Sequence, residues 1–471
     1  MKPDRLIYTY VSMASHYETS WGNGTPTEGV ERTAATAHRY NIPVTWIVNS
    51  GSIQVLGERI RKWHEAYGDD VILKCPNYYR DAGHSKEKLK ELLEREWKVL
   101  QEAFPWAETK VAGSGVVDGD VIGVLEEAGF QGMWGYCWEQ VWWDGITNKG
   151  VPWGFWYADG ERYKVPKPHG GKLVACEWTA RDLHQAYHTA SPVIYSTDPN
   201  DVLRAGLCTG EEIEYWKRLF GDYLRNTASN EQVYFLQHQE AHEMEVSDAY
   251  AVWPMEDIEA SDRMQDLFFQ HISQFPITIT TLPQAVKMYL ERNRETAPAY
   301  MLTRDPQIRP AQNAYTMTLG GVGLGPWPDT FFYYDKECQM AFLKGENKPR
   351  MLRNYVGQWN MNDDFAEAVP PVFVTKYEKR ADAIEIVYEI GHWKPIPFGL
   401  TYWDELDGFE VDSAEGVLDA RIIEGQLAFF RLQLTGSKTS IAVTLRPKRQ
   451  AVSPTAPEAD SEPAIQKSTI G

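Results

Sequence analysis

Seven tryptophans fall between Trp134 and Trp178, in the runs WGYCWEQVWWDG, GVPWGFWY and CEW. Glu139, Asp144, Glu177 and Asp182 stand among them or just after them. Indoles offer broad apolar faces with one polar N–H, and carboxylates offer acid, base and nucleophilic oxygen. A sugar ring calls for both: flat platforms for its C–H face, carboxylates for its hydroxyls and for the chemistry at the anomeric carbon. The segment therefore points to a carbohydrate site. The alternative is a tryptophan-rich core with carboxylates on a solvated edge.

A second group lies in LQHQEAHEMEVSD, which starts at Leu236 and follows the apolar run VYFL. His238, Glu240 and His242 are spaced at two, so an extended chain would put all three on one face. Such a trio suits a general acid with orienting partners, or a metal site. In a two-carboxylate scheme Glu139 acts as nucleophile or base and Glu240 as acid, and the reverse assignment fits the sequence equally well. Asp182 and Glu177 are the substitutes, and Glu243 and Glu245 belong to the same pool. Trp138, Trp142, Trp143 and Trp178 are expected to stack on the sugar, with His238 and His242 binding beside them. His16, in SMASHYETSWGNGT, is expected to hydrogen-bond a hydroxyl, with a plain loop position as the alternative; Glu18, Trp21, Asn49 and Asn77 could complete the rim. No metal and no cofactor is assigned.

These residues need strand ends to hold them. Short β-rich runs begin at Leu6, Pro43, Asp70, Thr109, Gly132, Lys172, Val233 and Ile277, with helical stretches between them. In the helix after Ser85, Leu89, Leu92, Leu93, Trp97 and Leu100 share one face. DGDVIGVLEEAGF runs from an acidic cap at Asp118 to Gly129, a suitable residue past a helix end. Alternation of this kind predicts a parallel sheet with right-handed crossovers, and seven or eight units predict a (β/α)7-type barrel with its site at the strand C-termini. After Asn293 the pattern turns to β alternation such as AIEIVYEIG and AFFRLQL, so an all-β, sandwich-like domain is expected. The expected divisions are a catalytic barrel over residues 1–293, the β domain over 294–448, and a disordered polar tail over 449–471.

The bulk numbers narrow the partners. The chain has 471 residues, 43% hydrophobic and 24% charged, which suits a globular protein of two domains. A net charge of −19 argues against nucleic acid and against an anionic membrane. Five scattered cysteines without a CxxC pair read as free thiols. With no long apolar run and no signal-like start, the expected location is the cytoplasm. Nothing in the sequence sets an oligomeric state.

The order of elements resembles the polysaccharide deacetylase-like barrels, the NodB-homology group with its seven-stranded glycoside hydrolase relatives. YNIPVTWIVNSG is similar to that family's second strand. KVAGSGVVDGDVIGVLEEAGFQGMWGYCWE resembles its strand, helix and next strand, and ITTLPQAVKMYLE its closing strand and helix. The likeness covers roughly the first 290 residues. It implies hydrolytic chemistry at a barrel mouth, but the family's metal ligands are missing. The resemblance places an Asp-Asp pair where this chain has Tyr10-Val11-Ser12. It places a His-x-x-x-His where this chain has Cys75-Pro76-Asn77-Tyr78-Tyr79. The function expected is therefore glycoside hydrolysis of an oligo- or polysaccharide by two carboxylates. A deacetylase or amidohydrolase with a rebuilt site and a non-catalytic sugar-binding protein stand as alternatives.

Overall fold

The computed structural model describes residues 1–19, 22–76, 83, 85–113, 119–138, 146–148, 154–160, 166–180, 182, 198–246, 253–297, 299–302, 331–343, 350–351 and 370–448. Strands covered on both faces are apolar without alternation, and β1 (Leu6–Met13) is buried along its whole length. It is followed by β2 (Val44–Val48), β3 (Asp70–Lys74), β4 (Val111–Gly113), β5 (Gly132–Trp138), β6 (Val174–Glu177), β7 (Val233–Glu240) and β8 (Thr278–Ile279). The hydrogen-bonded order is β7-β1-β2-β3-β4-β5-β6, all parallel. β8 pairs with the lower half of β1, Ile7 opposite Thr278, while β2 takes the upper half, Tyr10 opposite Val44. The sheet curls into a half-barrel, and just beyond β6 the Ala180 N–H donates to the Leu236 carbonyl of β7 at 2.7 Å.

Ile7, Val11, Ile47, Ile72, Val111, Trp134, Val174, Cys176, Tyr234 and Leu236 form one cluster on the inner face. The alternate residues, such as Tyr8, Tyr10, Val44 and Phe235, pack against the helices. Those helices are α1 (Thr27–His38), α2 (Ser50–Tyr67), α3 (Lys86–Ala103), α4 (Gly119–Glu127), α5 (Pro199–Arg204), α6 (Glu214–Asn226), α7 (Met255–Ile272) and α8 (Leu282–Arg292). Ser85 caps α3 through the Lys88 N–H, and Leu89, Leu93, Trp97 and Leu100 make its buried stripe, while Leu92, expected on the same face, is only half-buried. Among the described residues no helix is long and apolar enough to cross a membrane.

Beyond α8 the described strands are antiparallel. A four-stranded sheet (Val372–Lys379, Ile384–Ile390, Thr439–Pro447, Phe409–Glu415) and a three-stranded one (Pro397–Trp403, Leu427–Gln433, Asp419–Ile423) share a single apolar cluster. This is the α/β barrel with an all-β second part that the sequence predicts. Gln339 ties the two parts together by donating to the Pro166 carbonyl at 3.1 Å. His169, which bridges Glu295 at 2.9 Å and Glu337 at 3.0 Å, does the same.

One interior carboxylate gives the fold a pH dependence. Asp70 opens β3 on the inner face, accepting from its own Val71 N–H at 2.9 Å and from the Thr281 hydroxyl at 3.3 Å. Burial outweighs these bonds and pushes its carboxyl up to about 6. A folded-state value above the unfolded one means the proton is bound more tightly in the native state. The stability it contributes is complete below about pH 4 and is lost as pH rises through about 6, by up to ~3 kcal/mol. Asp70→Asn is therefore expected to gain on the wild type between pH 5 and pH 7.5 in urea unfolding. An identical pH dependence in both proteins would refute this role.

Candidate active site at the C-terminal end of β7

Alternation along β7 sends Tyr234, Leu236 and His238 to the inner face, and Glu240 ends the strand beside Met13 of β1. The chain then turns through a short 3-10 helix, Ala241–Met244. His242 thus sits on a turn, not on an extended strand as its spacing suggested, yet the turn brings it back to Glu240. The His242 Nε2 lies 3.0 Å from a Glu240 carboxylate oxygen.

Two contacts hold this turn. α1 begins after Pro26 without a side-chain cap of its own, and its first N–H groups need an acceptor. The buried Glu245 carboxylate supplies it, accepting from Glu28 at 3.0 Å and Gly29 at 3.2 Å. Gly29 lets the helix come this close, since a Cβ there would stand 1.8 Å from the Ala241 carbonyl oxygen. Glu243 is fixed from the other side. Asn200 donates to it at 2.9 Å, and Ser261 donates to Asn200 at 2.7 Å.

The protonation states follow from the partners. Trp178 Nε1 donates to His238 Nδ1 at 2.5 Å, so Nδ1 is an acceptor and the ring proton of neutral His238 sits on Nε2. Trp134 donates to the Trp178 carbonyl at 3.0 Å, and both indoles pack on the His238 ring, centroids 4.9 and 5.3 Å away. His242 is buried, which lowers its proton affinity; the Glu243 charge opposes that shift and Lys74 of β3 reinforces it. It is therefore neutral near pH 7, with Nε2 the ring nitrogen that faces Glu240. Asp198, the N-cap of α5, has its carboxyl raised well above the usual range by burial, then by Glu243, Asp201 and Glu240.

The structure therefore brings His238, Glu240 and His242 together with Glu243, Asp198 and Lys74. Asp198 and Lys74 were not singled out from the sequence. The Asp-Pro pair opening α5 does mark a cap, and Lys74 shares the inward face of Asp70 and Ile72. Other expected residues lie elsewhere. Asp182, expected at the mouth as a catalytic carboxylate, is buried in an ion pair with Arg218, which also holds Asp222 at 2.8 Å. Glu177 is wholly buried on the helix-facing side of β6, with Ala175. Trp178, expected as a sugar platform, is a buried support for His238. Of the other tryptophans, Trp134 and Trp156 are fully buried as well. For these three, the tryptophan-rich core is what the structure shows. The half-buried His16 sits at the rim, its backbone tied both ways to the Asn49 side chain at 3.3 Å. Glu139, Trp142, Trp143, Trp21 and Asn77, with the side chains of Trp138 and Glu18, lie outside the described residues.

No family model and no curated protein matches the chain. Solved structures do. Puue allantoinase is 13% identical with a TM-score of 0.41, over 63% of this chain and 93% of that one. Peptidoglycan deacetylase PdaC from Bacillus subtilis is 10% identical with a TM-score of 0.28, over 62% and 96%. The 4-alpha-glucanotransferase from Thermococcus litoralis is 8% identical with a TM-score of 0.35, over 94% and 100%.

The deacetylase-type metal does not fit the family positions. Tyr10 turns away from the barrel interior, its ring against Phe269 of α7 at 5.1 Å. Cys75 is wholly buried, and desolvation pushes its thiol up to about 12, so it offers no thiolate.

Proposed function

We propose that this protein is a carbohydrate-active hydrolase whose attacking water is activated at the Glu240–His242–Glu243 turn. The observation that carries the proposal is the buried, neutral imidazole of His242 with its Nε2 3.0 Å from the Glu240 carboxylate at the end of a barrel strand. A carboxylate behind an imidazole fixes its tautomer and stabilises the cation formed when the ring takes a proton. The carbohydrate part of the reading rests on the sequence, where Trp138 closes β5 and Trp142 and Trp143 come next in the chain.

This pair suits removal of an acyl group, amide or ester, from a sugar. His242 takes a proton as water adds to the acyl carbon. The imidazolium then returns the proton to the departing nitrogen or oxygen, and a carboxylic acid leaves. Glycosidic cleavage by two carboxylates is the second reading. It is favoured by the position of Glu240, the more solvent-accessible member of the Glu240–His242 pair, and it takes Glu139 as the other carboxylate. No redox cofactor enters either scheme.

The test is to incubate the protein with acylated and unmodified oligosaccharides and assay both free carboxylic acid and new reducing ends. Acid without reducing ends supports acyl removal. Reducing ends from unmodified glycans would move the assignment to the second reading. Sugar binding without either product would leave a non-catalytic lectin-like protein and overturn the hydrolase.

A further inference from the structure

The same turn carries a donor set that acid–base chemistry alone does not require. One ligand atom each from Glu240, His242 and Glu243 lies within 4.8 Å of the other two. This is a mixed set, one imidazole nitrogen and two carboxylate oxygens, and two of its three members are buried. We propose that the Glu240–His242–Glu243 turn binds a divalent transition-metal ion of the zinc type, at a place unrelated to the deacetylase positions.

Three observations argue for a cation there. The donor chemistry is that of borderline ions: one nitrogen with two carboxylates suits zinc, cobalt, nickel or manganese, whereas calcium and magnesium favour all-oxygen cages. Ligand atoms around a tetrahedral zinc stand about 3.4 Å apart, given bonds of about 2.0–2.2 Å. The set therefore needs only to close by side-chain rotation of an ångström or so. The donors are also held from behind, as ligands usually are. Asn200 and Ser261 orient Glu243, and Glu245 locks the turn to α1. Finally, Asp198 brings a third carboxylate close to Glu240 and Glu243, with Lys74 and Arg204 the cations facing the group. A dication relieves that crowding.

The inference rests on the hydrolytic reading of the turn and deepens it. With an ion held by Glu240, His242 and Glu243, acidification of a bound water would replace the proton acceptance that the free imidazole provides in its absence. Binding and turnover are separable. Isothermal titration of the full chain, stripped with chelator and dialysed, with zinc chloride and then cobalt chloride is expected to show one site. Bound cobalt should give visible bands of a tetrahedral or five-coordinate centre. His242→Ala and Glu243→Gln should each weaken the site at least 100-fold, and Glu126→Gln, a carboxylate on α4 outside the turn, should not. No saturable site, or a site unchanged in both turn variants, would overturn the proposal even if the protein hydrolyses glycans. A site that is lost in the variants would stand even if no glycan is cleaved.

Discussion

Replacing His242 with alanine is expected to lower kcat by about 10²–10⁴-fold, the span that a positioned acid–base group supplies. KM and the far-ultraviolet circular dichroism should stay close to wild type. The imidazole accepts the proton of the attacking water or, with a cation bound, holds the ion that activates it. Either way the loss falls on the chemical step. The metal-free protein gives a finer readout. Burial lowers the proton affinity of His242, so activity should persist into more acidic solution than an exposed histidine, with its pKa of about 6.5, permits. The acidic limb of kcat/KM should thus lie below pH 6.5. Glu243 is the carboxylate that favours the imidazolium, so Glu243→Gln should move that limb further down. A merely structural residue would not shift it. Full activity in His242→Ala would remove the turn from the mechanism.

The elements of this fold were legible because their physics is local. Leu6–Met13 reads as a strand since both its faces are buried, and the stripe of α3 appears in the spacing of Leu89, Leu93, Trp97 and Leu100. His238 and Glu240 were legible for the same reason: they alternate at the end of an apolar run. What sequence alone does not show is who stands opposite. Asn200 reaches Glu243 across 43 positions, and Arg218 claims Asp182 across 36. Composition also misleads where a barrel has an interior to fill. Trp134 looks like a binding platform, yet it fills the space over Gly113, where a Cβ would meet its ring at 3.2 Å. Gly135, with φ of 117°, then breaks the alternation, so Trp134 joins the inner cluster while Tyr136 packs with the helix-facing one. A glycine conformation decides which face each aromatic takes, and the residue letters do not record it.

Asp69→Ala should be the most damaging single change to the barrel. The pair Asp69-Asp70 follows Gly68, the left-handed cap of α2, and strand alternation sends its members to opposite faces. Asp70 faces the interior, and Asp69 faces the helices with no exposure at all. There its carboxylate accepts from the Val44 N–H at 3.0 Å, from Trp46 Nε1 at 2.7 Å and from His38 Nε2 at 2.9 Å. One side chain thus joins the start of β2, the end of α1 and the start of β3, while the His38 ring stacks on Tyr67 with centroids 3.9 Å apart. Removing the acceptor strands three buried donors, each costing about 1–3 kcal/mol. The expected loss is about 3–9 kcal/mol, a large share of the stability of a typical domain. Asp69→Asn keeps the volume and one acceptor oxygen but turns an amide N–H toward a donor, so it should fall between the two. Urea unfolding of the three proteins by tryptophan fluorescence tests the ordering. An alanine variant within 1 kcal/mol of wild type, on the order of a single net hydrogen bond, would show that water or a shift of His38 replaces the carboxylate. The junction would then be held by packing alone.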